Sequence, residues 1–183
     1  MPIEIEKKYR LTEEQAESLR GRLNEAVGAP ARGVEFEEST LYAGAGLAPS
    51  VRALRLRRVG GRAVLTLKER QPSADAIKHQ REEEIGVSDA ATTDAILRAL
   101  GYAPALVYEK RRETWRLGDA EVVLDELPFG WFAEIEGDRD AILRAEQALG
   151  LDAAEAELRT YPTLTRERGA RRGDLIEARF GGN

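Results

Sequence analysis

Apolar and charged residues alternate at period two from Ile3 to Tyr9, with Ile3, Ile5 and Tyr9 opposing Glu4, Glu6 and Lys8, the pattern of a half-buried strand. Thr12 and Gln15 form a capping-box pair ahead of Ala16, Leu19, Leu23 and Ala26, which recur at helical spacing until Gly28. Strand-like runs follow at Glu35 to Tyr42, Val51 to Val59, Ala63 to Arg70 and Lys78 to Val87, with Gly60-Gly61 placed for a tight hairpin turn. Ser88 is expected to cap a second helix through Ala90, Ile96, Leu97 and Leu100, ended by Gly101 and Pro104. Further strands are read at Leu106 to Leu117, Glu121 to Leu127 and Trp131 to Gly137, with turns at Gly118-Asp119 and Pro128-Phe129-Gly130. A helix from Asp140 to Leu149 comes next. Strands in succession with interspersed helices, rather than regular βαβ alternation, give an α+β fold built on an antiparallel sheet.

A chain of 183 residues suits one domain, here read as residues 1–164, followed by an Arg/Gly-rich C-terminal tail over 165–183 whose structure the pattern leaves open. With 28 basic against 33 acidic residues the net charge is -5, which disfavours broad attraction to nucleic acid or to anionic lipid. There is no cysteine and a single histidine, so thiolate and multi-histidine metal sites are excluded and oxygen ligands remain. The N-terminus carries no apolar signal core and no apolar run approaches a membrane span, so a soluble cytoplasmic protein is expected.

A third of the residues are charged, and strand parity sorts them. One face carries Glu4, Glu6 and Lys8; Arg55 and Arg57; Thr66 and Lys68; Glu82 and Glu84; Lys110 and Arg112; Asp125; and Glu134 and Glu136. The other carries Ile3 and Ile5, Leu54 and Leu56, Leu65 and Leu67, Ile85 and Val87, Val122 and Leu124, and Ala133 and Ile135, which suits packing under helices. A merely solvated face would mix its polar residues, whereas here acids and bases occupy separate strands as doublets. Closing about eight such strands into a barrel turns the charged face into a lumen, with the helices packed outside. Desolvating so many ions without a ligand is very costly, so a wet tunnel admitting a polyanion is expected. Lys8, Arg55, Arg57, Lys68, Lys110 and Arg112 suit phosphate oxygens. Carboxylates beside them would repel phosphate, which implies an intervening hard cation, Mg2+ or Mn2+.

The ordered set Glu4-x-Glu6-x-Lys8, Ala53-Leu54-Arg55-Leu56-Arg57, Leu65-Thr66-Leu67-Lys68, Glu82-x-Glu84, Glu109-Lys110-x-Arg112, Leu124-Asp125 and Phe132-Ala133-Glu134-x-Glu136 resembles the CYTH, or triphosphate tunnel metalloenzyme, superfamily over roughly residues 1 to 161. The resemblance implies a closed eight-stranded antiparallel β-barrel, dependence on Mg2+ or Mn2+ and a triphosphate-bearing small molecule as substrate. It also implies that the six bases bind phosphate. Glu4, Glu6, Glu82, Glu84, Asp125, Glu134 and Glu136 would then supply metal ligands or place the attacking water. Among these, Glu4, Glu6, Lys8, Glu82 and Glu84 are the expected catalytic set, and Glu4, Glu6, Asp125, Glu134 and Glu136 the expected metal ligands. The expected activity is hydrolysis of tripolyphosphate, thiamine triphosphate or a similar compound, with a class IV adenylate cyclase as the alternative and a homodimer as the expected assembly. Gln80 stands where relatives often carry Arg, and Ala43 where they often carry Asp. Arg159-Thr160-Tyr161 only partly matches a Ser-Tyr element of relatives, and Pro162 is expected to break the element there.

Other residues invite functional readings that parity disfavours. His79 falls with the outer face. Glu83 turns inward only if the strand slips by one residue, which would expel Ile85 and Val87 from the apolar face. Trp115, Trp131 and Phe129 are read as packing residues and Arg171-Arg172 as solvated.

Overall fold

The computed structural model describes residues 3–48, 51–71, 78–152 and 154–181, leaving the side chains of residues 3, 4, 71, 78 and 79 outside the description. The expected inward Glu4 and outward His79 therefore lie outside the described side chains.

The elements are β1 (Ile3–Leu11), α1 (Glu13–Val27), β2 (Glu35–Ala43), β3 (Arg52–Val59), β4 (Arg62–Gln71), β5 (Lys78–Val87), α2 (Ala90–Ala99), β6 (Ala103–Leu117), β7 (Ala120–Leu127), β8 (Gly130–Glu136), α3 (Arg139–Ala148), α4 (Tyr161–Arg168), β9 (Ala170–Arg172) and β10 (Leu175–Ala178). Thr12 and Gln15 form both halves of the expected capping box on α1. Asp89, not Ser88, caps α2: its carboxylate accepts from the backbone N–H groups of Ala91 and Thr92, a stronger acceptor than a serine hydroxyl one residue too early. Gly60 and Gly61 both have positive φ, 53° and 77°, as a two-residue turn between paired Val59 and Arg62 requires.

The eight strands β1 to β8 make a curled antiparallel sheet in the order β2-β3-β4-β5-β1-β8-β7-β6, and β2 pairs with β6 as well as with β3. Every strand of this set thus has two antiparallel neighbours. The β2–β6 ladder runs from Glu35 opposite Arg112 to Ala43 opposite Ala103.

Parity separates the two faces as the sequence pattern indicates. Ile5, Val122, Leu124, Ala133 and Ile135 pack with α1 and α3 in the largest core cluster, joined by Trp115 and flanked by Trp131. Leu54, Leu56, Leu65 and Val87 pack with Leu97 of α2. Ile85 departs from this and is largely exposed.

Helix α4 departs from the expectation that helices cover only the outside. Tyr161 and Leu164 pack with Leu41, Tyr108, Leu127 and Phe132, all of inward parity, so α4 fills one end of the concave face with apolar side chains. Pro162 does not break the chain; it sits in the first turn of α4, where a missing N–H costs nothing, and Thr160 caps the helix. Residue 164 lies inside this helix. The segment beyond continues into the β9–β10 hairpin, whose β10 pairs parallel with β6 through Ile176, Glu177 and Ala178. No helix among the described residues is long and apolar enough to cross a membrane.

Candidate active site

The concave face encloses a cavity of about 1070 Å³ lined by Glu6 and Lys8 of β1, Arg55 and Arg57 of β3, Lys68 of β4, Glu82 and Glu84 of β5, Lys110 and Arg112 of β6, and Glu134 and Glu136 of β8. Period-two geometry delivers them: each doublet has one outward residue between its members, and that residue packs or is solvated on the other side. Of the expected site residues, Asp125 alone among those with described side chains is not at the cavity surface. It has no solvent exposure and lies behind Arg112.

Acids and bases are interleaved by register. Lys68 faces Glu82 across β4–β5, with Nζ 2.7 Å from the carboxylate, and Arg55 approaches the same group at 3.8 Å. Arg57 and the Thr66 hydroxyl reach Glu84 at 3.3 and 3.1 Å. Arg112 donates to Asp125 through Nε (2.7 Å) and Nη2 (2.5 Å), and its Nη2 also donates to Glu134 at 2.8 Å. Lys8 lies 3.2 Å from Glu134. Burial by itself would lower the Arg112 pKa, but Asp125, Glu134 and Glu37 outweigh it and hold the guanidinium firmly charged.

Two residues outside the expected set complete this network. Glu37 of β2, almost fully buried, faces Lys110 across the β2–β6 ladder, with 3.2 Å between charged atoms, and Arg57 lies 3.9 Å away. Burial would raise its pKa, yet Lys110, Arg112 and Arg57 together bring it down to about 2. Tyr161 donates its hydroxyl to Asp125 at 2.8 Å, and its ring lies under the Lys8 ammonium, 3.9 Å from Nζ to the centroid. Burial and the charges of Asp125 and Glu134 hold this phenol protonated. Asp125, expected among the metal ligands, therefore has both oxygens engaged by Arg112 and Tyr161, with Lys110 at 3.5 Å. Such an arrangement fixes the direction of Arg112 and leaves little coordination capacity.

Three buried donors lack acceptors, and two of them belong to residues that line the cavity. The Nε–H groups of Arg55 and Arg57 and the hydroxyl of Ser39 are buried without a hydrogen-bond partner among the described residues. An unsatisfied buried donor costs on the order of 1–3 kcal/mol, so the Arg55 and Arg57 donors on one cavity wall mark a place for an oxygen-rich anion.

Carboxylates gather at one end. Glu6 and Glu121 both sit opposite Glu136 in register, a row of like charges that is unfavourable by itself. No three of them come close enough to form a ready cation site among the described residues. The donor set is nevertheless all oxygen and anionic, which suits a hard divalent cation.

The sequence matches the CYTH domain over residues 2–161. The chain belongs to the CYTH family. CYTH proteins act on triphosphates, as triphosphatases or as adenylate cyclases, and generally use divalent cations. Among solved structures, a Pyrococcus horikoshii protein is 26% identical with a TM-score of 0.74, the match covering 88% of this chain and 98% of that one. A conserved hypothetical protein from Pyrococcus furiosus, 23% identical over 88% of this chain and 99% of its own, shares the fold with a TM-score of 0.75. The adenylate cyclase CyaB of Aeromonas hydrophila is 36% identical over 104 residues, and this CYTH chain spans only about half of it, 52%, in a match that takes in 51% of the chain.

Proposed function

We propose that this CYTH protein is a divalent-metal-dependent triphosphatase that grips the triphosphate of a small molecule in a closed tunnel and splits off orthophosphate with water. The observation that carries the reading is the pair of buried, acceptor-less Nε–H donors of Arg55 and Arg57 in a cavity otherwise filled with paired charges. Phosphate oxygens would satisfy them, and the β2–β6 ladder supplies the seam that a closed tunnel needs. Lys8, Lys68, Lys110 and Arg112 extend the cationic surface along the same cavity.

Glu6, Glu134 and Glu136, with Glu4 and Glu121 beside them in sequence and register, would hold Mg2+ or Mn2+. When bound, the cation neutralises phosphate charge and polarises the bond to be broken. The protein's own residues do the rest. Arg112, aimed by Asp125, holds an equatorial oxygen as charge builds on it. Lys68 and Arg57, now paired with Glu82 and Glu84, exchange those carboxylates for the incoming phosphate, which frees a carboxylate to orient the attacking water.

A second reading, adenylate cyclase, rests on a specific feature: Leu41, Ala43, Leu47, Ala53 and Leu106 line the same cavity and could receive the organic body of a nucleotide. The hydrolase is preferred because cyclisation also needs a ribose hydroxyl fixed in line with the α-phosphorus, whereas hydrolysis needs only a water placed by one carboxylate. The deciding experiment incubates the protein with tripolyphosphate, thiamine triphosphate or ATP, plus Mg2+ or Mn2+, and resolves orthophosphate, pyrophosphate and cyclic AMP. Orthophosphate release that stops with chelator and returns with metal is expected. Cyclic AMP and pyrophosphate from ATP, formed faster than any orthophosphate, would install the cyclase instead.

A further inference from the structure

The ladder between β2 and β6 places two carboxylates directly opposite each other on its outer face, Glu38 and Glu109. Like charges in that position push a pair of strands apart. On the inner face, one residue along each strand, the same ladder sets Glu37 against Lys110, and two residues further on, Glu35 against Arg112. The spacing of the phosphate-binding bases on β6 relative to those on β3 therefore depends on a seam that carries a built-in repulsion.

The C-terminal strap, beyond the residues that match the CYTH domain, meets this repulsion. Arg179 follows β10 and places Nη1 between the two acids, 2.6 Å from Glu38 and 2.7 Å from Glu109. Its Nε is held by Glu177 at 3.3 Å, which aims the guanidinium. The backbone N–H of Phe180 donates to the second oxygen of Glu109 at 2.8 Å. Arg111 lies over the Phe180 ring at 4.2 Å, and Phe36 of β2 is 6.5 Å from it between centroids, so the strap touches both strands of the seam. Glu38 retains a second cation, Arg58, at 3.0 Å, whereas Arg179 supplies the only basic side chain within ion-pair distance of Glu109 among the described residues.

We propose that Arg179 is a positioning residue of the active site, bridging Glu38 and Glu109 so that the β2–β6 seam holds Glu37, Lys110 and Arg112 at the spacing a triphosphate requires. The proposal rests on the triphosphatase reading for its ligand but not for its structural content. Arg179 touches no substrate; it acts through the ladder.

Amide hydrogen exchange along β2 and β6, without ligand, and titration with tripolyphosphate read the two consequences separately. Arg179→Ala should speed exchange in the seam and weaken tripolyphosphate binding by about two- to fivefold, the scale of one unrelieved cross-strand charge pair. Arg179→Lys should recover part of both. Removing the repulsion itself, in the triple variant Arg179→Ala, Glu38→Gln, Glu109→Gln, should restore both close to the parent, and it remains informative if Arg179→Ala folds poorly. Seam exchange and affinity unchanged in Arg179→Ala would overturn the proposal, as would a triple variant no better than the single one. The exchange arm needs no ligand, so it judges the strap independently of whether tripolyphosphate binds, which judges the functional reading.

Discussion

Glu37 is ionised inside the protein at a cost that three cations repay. Its pKa is about 2 in the fold against the ordinary 4.5, so the folded state prefers the charged form. The stabilisation is complete above about pH 4.5 and is lost as pH falls from there towards 2. Denaturation curves of Glu37→Gln should accordingly show a shallower loss of stability than the parent between these limits; parallel curves would mean that the pairing is not formed. Tyr161 offers a second handle. Tyr161→Phe keeps the ring beneath Lys8 but deprives Asp125 of a donor, and should cost about 1–2 kcal/mol in unfolding experiments. Glu37 was not legible as part of the site, and Tyr161 entered only through a partial match to a Ser-Tyr element of relatives. Around Glu37 the outward neighbours Phe36, Glu38 and Thr40 are not uniformly apolar, so alternation gives no contrast, and Tyr161 reaches the lumen through a chain reversal that no local period encodes. Arg55, Arg57 and Lys68, by contrast, could be placed from sequence because leucines beside them fix which way each strand faces, and Lys8 because Ile3, Ile5 and Tyr9 do so on its strand, whereas Lys110 and Arg112 lie among Glu109, Arg111 and Glu113 and were placed by the ordered motif alone.

At the scale of elements, β1 to β8 and helices α1 to α3 follow from patterns that are strong locally: alternation, caps and glycine turns. Helix α4 is different. Tyr161, Leu164 and Thr165 are its only buried residues, too few to make an amphipathic stripe, and its stability comes from the apolar end of the concave face. Leu164→Ala should therefore destabilise the protein by about 2–5 kcal/mol, while Leu158→Ala, at an exposed position just before the helix, should stay within about 0.5 kcal/mol. Equal effects in chemical denaturation would remove α4 from the core. The β9–β10 hairpin was equally hidden, since strands of three and four residues carry almost no period and only pairing with β6 gives β10 its place.

For the molecule as a whole, one face of a curled sheet is buried under helices and the other holds charge against charge. The lumen contains its own counter-charges: bases that would otherwise gather ions from solution are already matched by carboxylates on neighbouring strands. Binding of a triphosphate is then an internal ion exchange, in which side chains swing aside and few small ions leave for the bulk. Counterion release is what makes polyanion affinity fall steeply with salt, so here the fall should be gentle. Tripolyphosphate titrations in rising potassium chloride, at fixed free metal, should give a log–log slope well below the number of bases in the cavity. A slope approaching that number would show that those bases face solvent ions rather than one another. On the triphosphatase reading, the same arrangement should let the cavity reject lone chloride or phosphate, which bring too little charge to displace the resident carboxylates, while a triphosphate with its metal brings enough.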